Sequence, residues 1–499
     1  MRRFTLCFAS TSLFVLLLCS VASAKSRSSD PRLAKAYRFE RDGWVYVHLE
    51  GSPIDIGFQH GYLLAPEIED ALKAVQLTDT HNTQRDWNFF RKTAHEVLWP
   101  HIEIEYQQEL QGIADGLKAH GSNFDLYDVV ALNAFEEVPD YYVPWLNKKE
   151  AVVSPPRLVA PGNCSAFIAN GSYTKDGKIV IAHNNWTSYM HGERWVVMFD
   201  IVPQHGNTIL MDGFPGVITS DDDFGVSSSG IMVTETTITQ FKGFDPAGVP
   251  EFVRSRKALQ YANSIDDYVR IIKQGNNGGY ANDWLIGDRK TNEIAYLELG
   301  LKHTPLWRSK DGYFISSNFA RDPQLIKDET DFDPHDQSTS PNARHVRWEN
   351  LMKQNKGKIE VALAERFLSD HFDAYERKQE ADERTLCGHG DTSSRGIEVW
   401  DWAPFFPGGA VQGKAMDSDM AAKMQLVARA GHPCGEDFHA REFLAKHPEY
   451  AWQAPLLRDM KAGPWTQFKT GDREASAPRV KIKLKNQPMP PADQKDNGD

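Results

Sequence analysis

Pro161-Gly162-Asn163-Cys164-Ser165-Ala166-Phe167-Ile168-Ala169 is the stretch on which the reading of this chain turns. Upstream, residues 139–161 hold five prolines and the run Lys148-Lys149-Glu150, which predicts a loop. Downstream, 165–169 reads as a strand. Short β-rich segments follow at 179–182, 195–201, 208–211 and 230–237, joined by turn dipeptides such as Asp176-Gly177 and His205-Gly206. A cysteine therefore stands where an exposed loop gives way to the first strand of an antiparallel run.

Farther out the character differs on the two sides. Before the loop, a short strand at 44–49 leads into a Gly-rich turn, and helical periodicity marks 66–76, 87–97, 102–117 and 127–137. After the β-rich run come a helical piece at 251–274, strands at 283–287 and 293–299 around a turn at 288–292, and helices at 342–354 and 359–372. Strands and helices in separate runs, without alternation, indicate a layered α+β fold. The expected organisation is a signal peptide at 1–24, a mainly helical segment at 25–163, a catalytic segment at 164–474 and a disordered Pro/Lys/Asp-rich tail at 475–499.

Residues 1–24 have a basic start at Arg2 and Arg3, an apolar stretch centred on 13–18 and a small-residue end, Ala22-Ser23-Ala24. That is a secretory signal, too short to span a bilayer, so the expected location is periplasmic or secreted with no stable membrane anchor. The mean hydropathy is -0.50 and the net charge -12, more negative still once the two signal arginines are removed. Such a chain offers no electrostatic footing for nucleic acid.

Removing Cys7 and Cys19 with the signal leaves Cys164, Cys387 and Cys434. Leu386-Cys387-Gly388-His389 and His432-Pro433-Cys434-Gly435 share a Gly-rich, loop-like setting, so a Cys387–Cys434 disulfide is expected, with Cys164 left as a free thiol. His389 and His432 raise zinc as an alternative. The spacing fits no zinc template, and neither a metal nor another cofactor is expected. The run Asp221-Asp222-Asp223 lacks the alternating spacing of a calcium loop.

A thiol at such a border is either a small buried core residue or a nucleophile. If the loop were cut before Cys164, its new α-amine, with a pKa of roughly 7.7–8.0, would serve as base for its own thiol. Several motifs bear on this choice. Gly51-Ser-Pro-Ile-Asp-Ile-Gly57-Phe-Gln-His60-Gly61, Glu109-Leu-Gln-Gly112-Ile-Ala-Asp-Gly116, Val130-Ala-Leu-Asn133 and Asn163-Cys164-Ser165-Ala166 resemble the isopenicillin N acyltransferase family. Ala182-His183-Asn184-Asn185-Trp186-Thr187-Ser188-Tyr189, Phe214-Pro-Gly216 running to Phe224, and Thr234-Glu235-Thr236-Thr237 resemble the related phospholipase B-like proteins. Tyr280-Ala-Asn282-Asp283-Trp284 and Asn342-Ala-Arg344 match later stretches in the same order.

Both families are self-processing N-terminal nucleophile hydrolases, so the resemblance implies a four-layer αββα sandwich cut between Asn163 and Cys164. It implies Cys164 as nucleophile, with its α-amine as base. Asn282 is the leading oxyanion donor or amine holder, and Asp283 is the alternative if the alignment slips by one. Asn184 and Asn185 would present amides, His183 would tune the amine, and Arg344 would bind a carboxylate or phosphate or form a surface ion pair. Trp186, Phe214, Phe224 and Trp284 would line an acyl pocket or belong to the core. The acyltransferases have Gly where this chain has Asn163, and Asp where it has Thr187. The partner expected is a small acyl amide or ester, with the two product chains staying associated. Amide hydrolysis is the leading activity; phospholipid deacylation, acyl transfer, an inactive binding protein and a conventional cysteine hydrolase with a separate His are the alternatives.

Overall fold

The computed structural model describes residues 30–150, 164–221 and 224–473. The expected signal peptide, Asn163, residues 151–161 of the proline-rich loop, Asp222, Asp223 and the tail lie outside these residues. In chain order the strands are β1 (Tyr37–Arg41), β2 (Trp44–Gly51), β3 (Ser165–Asn170), β4 (Val180–Ser188), β5 (Val197–Pro203), β6 (Ile209–Gly213), β7 (Gly225–Ser227), β8 (Ile231–Thr237), β9 (Asn282–Asp288), β10 (Glu293–Leu299), β11 (Leu306–Ser309), β12 (Gly312–Ser316), β13 (Phe372–Asp373), β14 (Lys378–Gln379), β15 (Gly408–Asp417), β16 (Gln425–Ala430) and β17 (Thr466–Lys469). One sheet runs β1-β2-β5-β6-β7-β8-β9-β10-β11 and a second runs β12-β3-β4-β15-β16-β17. Every pairing in them is antiparallel except β2 with β5, where the N-terminal segment inserts beside a strand of the later one.

The pleat sorts residues onto faces. Ala166, Ile168 and Ile181 of the six-stranded sheet share an apolar cluster with Met198, Leu210, Leu285 and Tyr296 of the nine-stranded one. The opposite face of the nine-stranded sheet, with Val233, Trp284 and Leu297, packs against helices Pro53–Leu63, Ala65–Thr83, Ile104–His120 and Glu251–Tyr261. The opposite face of the six-stranded sheet, with Phe167 and Ala182, packs against helices Ser340–Gln354 and Val361–Leu368. No helix among the described residues is long and apolar enough to cross a membrane.

The Gly-rich turn expected after β2 is a helix. Ser52 caps it by accepting from the Asp55 amide, and Pro53 opens it, where a missing N–H is no loss. Its glycines serve close packing. A Cβ on Gly57 would lie 1.9 Å from the Glu109 carbonyl oxygen, and one on Gly61 2.0 Å from that of Ile113. Gly112 and Gly116 return the contact from helix Ile104–His120, so two backbones meet where side chains would hold them apart. The expected loop is helical as far as residue 149, because Pro139 and Pro144 each fall in the first turn of a helical segment, Val138–Tyr142 and Val143–Lys149. The single helix expected at 251–274 is two, the second capped by Ser264 accepting from Asp267 N.

Candidate active site

Cys164 lies one residue before β3, which is flanked by β12 and β4 inside the six-stranded sheet. The register pairs Ser165 with Asn184 and Ala166 with His183. Alternation therefore sends His183 and Asn185 to the face of Ala166, towards the other sheet, and Ser165 and Asn184 to the helical side. Cys164, His183 and Glu235 are all buried, and each brings one ligand-capable atom within 4.8 Å of the other two. Around Glu235 a polar cluster closes. The neighbours of the Asn282 amide fix the orientation in which Nδ2 donates to Glu235 Oε2 (2.8 Å) and to the Ala281 carbonyl (3.1 Å). Tyr280 OH donates to Glu235 Oε1 at 3.3 Å and accepts from Thr237 Oγ1 at 3.1 Å. Burial, then the Glu235 and Cys164 charges, push the Tyr280 phenol well above its ordinary range, so it remains a donor.

Arg344 is not a surface ion pair. It is fully buried on helix Ser340–Gln354 and places its five N–H donors on neutral oxygens. Nη1 donates to the Cys164 carbonyl (2.7 Å) and Ser165 Oγ (3.1 Å), Nη2 to the Ser317 carbonyl (3.3 Å) and Asn318 Oδ1 (2.9 Å), and Nε to Ser340 Oγ (3.1 Å). Burial lowers its pKa to about 9, and the guanidinium stays charged at neutral pH. It lies over the rings of Trp186 and Trp400, at 4.5 and 5.2 Å. Its role here is to hold the backbone on which the thiol is mounted.

The other expected site residues divide by face. Asn185 Nδ2 is buried and has no hydrogen-bond partner among the described residues; its cross-strand neighbour is Gln412, beside a bulge in β15. Asn184 spends its amide on the Leu368 and Leu386 carbonyls at 2.8 and 2.9 Å, a structural use on the helical side. Asp283 points to the face of β9 opposite Asn282, accepts from Ser316 Oγ (2.9 Å) and sits across from Glu298. Phe224 packs beside His183, Phe214 against Phe135, Trp284 against Tyr268 and Trp186 against Trp400. All four are core, and none lines the cleft described next. Cys387 and Cys434, expected to be bonded, are free thiols on either side of His389.

A cleft opens where β4 runs on past Asn185. It is lined by Thr78, Asp79, Phe135, Glu136, Asp140 and Thr187, among others. Burial, reinforced by Asp140 and Glu136, raises the Asp79 carboxyl well above the usual carboxylate range. The loop after β6 is held from the N-terminal segment. Gly216 N donates to His60 Nε2 at 3.0 Å, and Asn133 bonds both the Gly216 carbonyl (2.9 Å) and Ile218 N (2.8 Å). Burial, and then Arg256, lower the His60 pKa to about 3, which keeps that nitrogen an acceptor.

Glu235 and Tyr280 carry no assigned role in the sequence reading. One signal was available for Glu235: a carboxylate inside β8, Ile231–Thr237, whose other residues are all uncharged. Tyr280 has none beyond its place two residues before Asn282.

A family model described as Phospholipase B matches residues 67–301. An uncharacterized protein of Archaeoglobus fulgidus is 26% identical over 306 residues, covering 56% of this chain and 48% of that protein. Putative phospholipase B-like 2 of Rattus norvegicus is 32% identical over 163 residues, 30% of this chain and 27% of that one. Phospholipase B-like protein C of Dictyostelium discoideum is 28% identical over 287 residues, 49% and 50% of the two chains. The matches thus span between about a quarter and a half of the length of these relatives. Over residues 67–301, which include Cys164, His183, Glu235 and Asn282, the chain is similar to the phospholipase B family.

Proposed function

We propose that this chain is an exported, self-processing hydrolase of the N-terminal nucleophile class, built as a four-layer αββα sandwich, with Cys164 as its nucleophile. The observation that carries the reading is the position of Cys164 at the head of an interior strand, buried against His183 and Glu235. In the processing step the Cys164 sulfur attacks the Asn163 carbonyl carbon. The peptide C–N bond breaks, the Cys164 nitrogen takes a proton and becomes the free amine, and water hydrolyses the thioester to an Asn163 carboxylate and the thiol. In turnover that amine accepts the thiol proton while sulfur attacks the acyl carbonyl. The leaving amine or alcohol departs with a proton, and water then releases the acid and regenerates the thiol.

Asn185 Nδ2, a buried donor with no competing partner among the described residues, suits the developing oxyanion. Glu235 supplies a carboxylate near the Cys164 thiol, where Thr187 offers none, and it holds Asn282 in place. Arg344 positions the Cys164 backbone. The two chains stay associated through the β2–β5 pairing.

An acyl amide is the leading substrate, in keeping with the resemblance to the acyltransferases, for which acyl transfer is the related outcome. The similarity to phospholipase B-like proteins favours a second reading, deacylation of a phospholipid ester. The carboxyl groups along the cleft suit a neutral or cationic leaving group over an anionic one.

Intact-mass analysis and a denaturing gel of the purified protein, with Cys164→Ala beside it, test the proposal. Two chains for the parent, the second beginning at Cys164, and one for the variant are expected. A single chain for both overturns self-processing and favours a binding protein or a conventional thiol enzyme. With processing established, release of fatty acid from phosphatidylcholine vesicles against release from N-acyl amides decides the substrate class.

A further inference from the structure

We infer that His371, Cys387, His389 and Cys434 form a four-ligand site for a divalent transition metal, zinc(II) before others. The four come from three separate stretches: His371 just before β13, Cys387 and His389 between β14 and β15, and Cys434 in the turn after β16. One donor atom from each lies within 4.8 Å of all the others. His389 Nε2 is 3.7 Å from Cys387 Sγ and 3.6 Å from Cys434 Sγ. A tetrahedral zinc with bonds of about 2.3 Å to sulfur and about 2.0–2.1 Å to nitrogen needs sulfur–nitrogen edges of about 3.6 Å. The two observed separations are those edges. His371 Nε2 is buried and has no hydrogen-bond partner among the described residues.

Sequence spacing concealed this set because His371 lies outside the two Cys/His motifs, and of the two histidines that did stand out, His389 and His432, the second takes another part. Its ring stacks on His389, centroids 4.1 Å apart, and fixes that ring's plane. Two sulfur and two imidazole ligands leave no position open to water or substrate, which marks a structural centre. Loading converts two thiols to thiolates and releases two protons, so the bound centre is neutral overall.

The centre would brace the outer side of the candidate active site. Leu386, beside Cys387, accepts from Asn184 and from the Trp186 indole, and Gly388 lies so close to that indole that a Cβ would come within 1.8 Å of it. Ser369 Oγ bonds the Pro433 carbonyl at 2.8 Å, joining the His371 and Cys434 stretches directly. The competing fate of the two thiols is a disulfide, which needs an oxidant to take two electrons and two protons.

The test uses the full chain without an affinity tag of histidines, purified without chelator and analysed for metal. One zinc per chain is expected. Chelation followed by cobalt(II) chloride should give the visible bands of a tetrahedral site and near-ultraviolet thiolate charge transfer. The same spectrum should persist in Cys164→Ala, which separates this site from the Cys164 cluster. Cys434→Ser should lose the charge transfer and the stoichiometric metal, and His371→Ala, the second variant should the first not fold, should lose the tetrahedral bands. A metal-free parent overturns the inference, whether non-reducing peptide mapping finds Cys387 joined to Cys434 or finds two free thiols. So does metal retained unchanged in both variants.

Discussion

Glu298→Gln should flatten the dependence of stability on pH. Asp283 and Glu298 sit opposite each other on β9 and β10, both fully buried. Burial raises the Glu298 carboxyl from 4.5 to about 7. Burial, and then the Glu298 charge, raises Asp283 well above its ordinary value. The Arg321 and Asp322 amides donate to Glu298, and Ser316 donates to Asp283 Oδ2; Asp283 Oδ1 has no partner among the described residues and is best placed to keep a proton. A carboxyl raised in the folded state binds a proton there that the unfolded chain has released. Its stabilisation is therefore complete below about pH 4.5 and is lost as the pH climbs through about 7. At about 1.4 kcal/mol for each tenfold change in proton affinity, Glu298 alone contributes a fall on the order of 3 kcal/mol across that window. Glutamine removes the titration and adds a pH-independent offset, because its NH2 must face one of the two backbone amides. Urea unfolding at about pH 5 and about pH 8, in the Cys164→Ala background so that one chain is followed, measures the slope. Parallel curves for parent and variant would refute the reasoning. Glu298→Gln in the chain that keeps Cys164 should process at the parent's rate, since the pair lies on the far face of β9 from Asn282.

Asn185→Ala should leave stability nearly unchanged and lower acyl hydrolysis by about 10²–10³-fold, the effect of deleting an oxyanion donor; steady-state kinetics showing less than a few-fold loss would remove it from that role. Arg344→Lys keeps the charge but cannot reach five acceptors, so about 1–3 kcal/mol of stability and at least about tenfold in processing rate should go, read by unfolding and by a time course of chain cleavage. Gly61→Ala forces a methyl into the Ile113 carbonyl and should cost about 1–3 kcal/mol, seen as a lower urea midpoint; an unchanged midpoint would mean that the two helices separate freely. Asn133→Ala frees the Gly216 loop and should cost about 1–2 kcal/mol, with amide exchange rising at Ile218 before it rises in β5.

Much of the β-rich half was legible because its strands are short, apolar and bounded by turn residues. β3, β8, β9 and β10 fall within a residue or two of their expected limits. The strand β15 has no counterpart in the sequence reading: Gly408, Gly409 and Gly413 weaken its strand pattern, yet they let a central strand approach the Gly388 carbonyl and Trp465 closely. Pro139 and Pro144 misled in the other direction, since proline ends a helix in its interior but opens one in its first turn. In the site, the alternation around Asn184-Asn185 could not be phased from sequence, because every residue of β4 is buried whichever face it points to. Only the register with β3 separates the inward amide from the structural one. Arg344 read as an anion binder or a surface ion pair because guanidinium groups are rarely buried without a carboxylate; five neutral acceptors from three stretches of chain are not legible in sequence.

The parallel seam between β2 and β5 bears on the order of events in the life of the protein. Its two edges belong to opposite sides of the proposed cut. Before cutting, their meeting is an intramolecular search whose success does not depend on concentration. Afterwards, the same meeting would require two separate molecules to find one another while each exposed half a core. Cutting would therefore act as a ratchet: harmless to a chain already folded, prohibitive to one that is not. Cut protein, once denatured, should recover poorly on dilution, whereas the uncut Cys164→Ala chain should recover at any dilution.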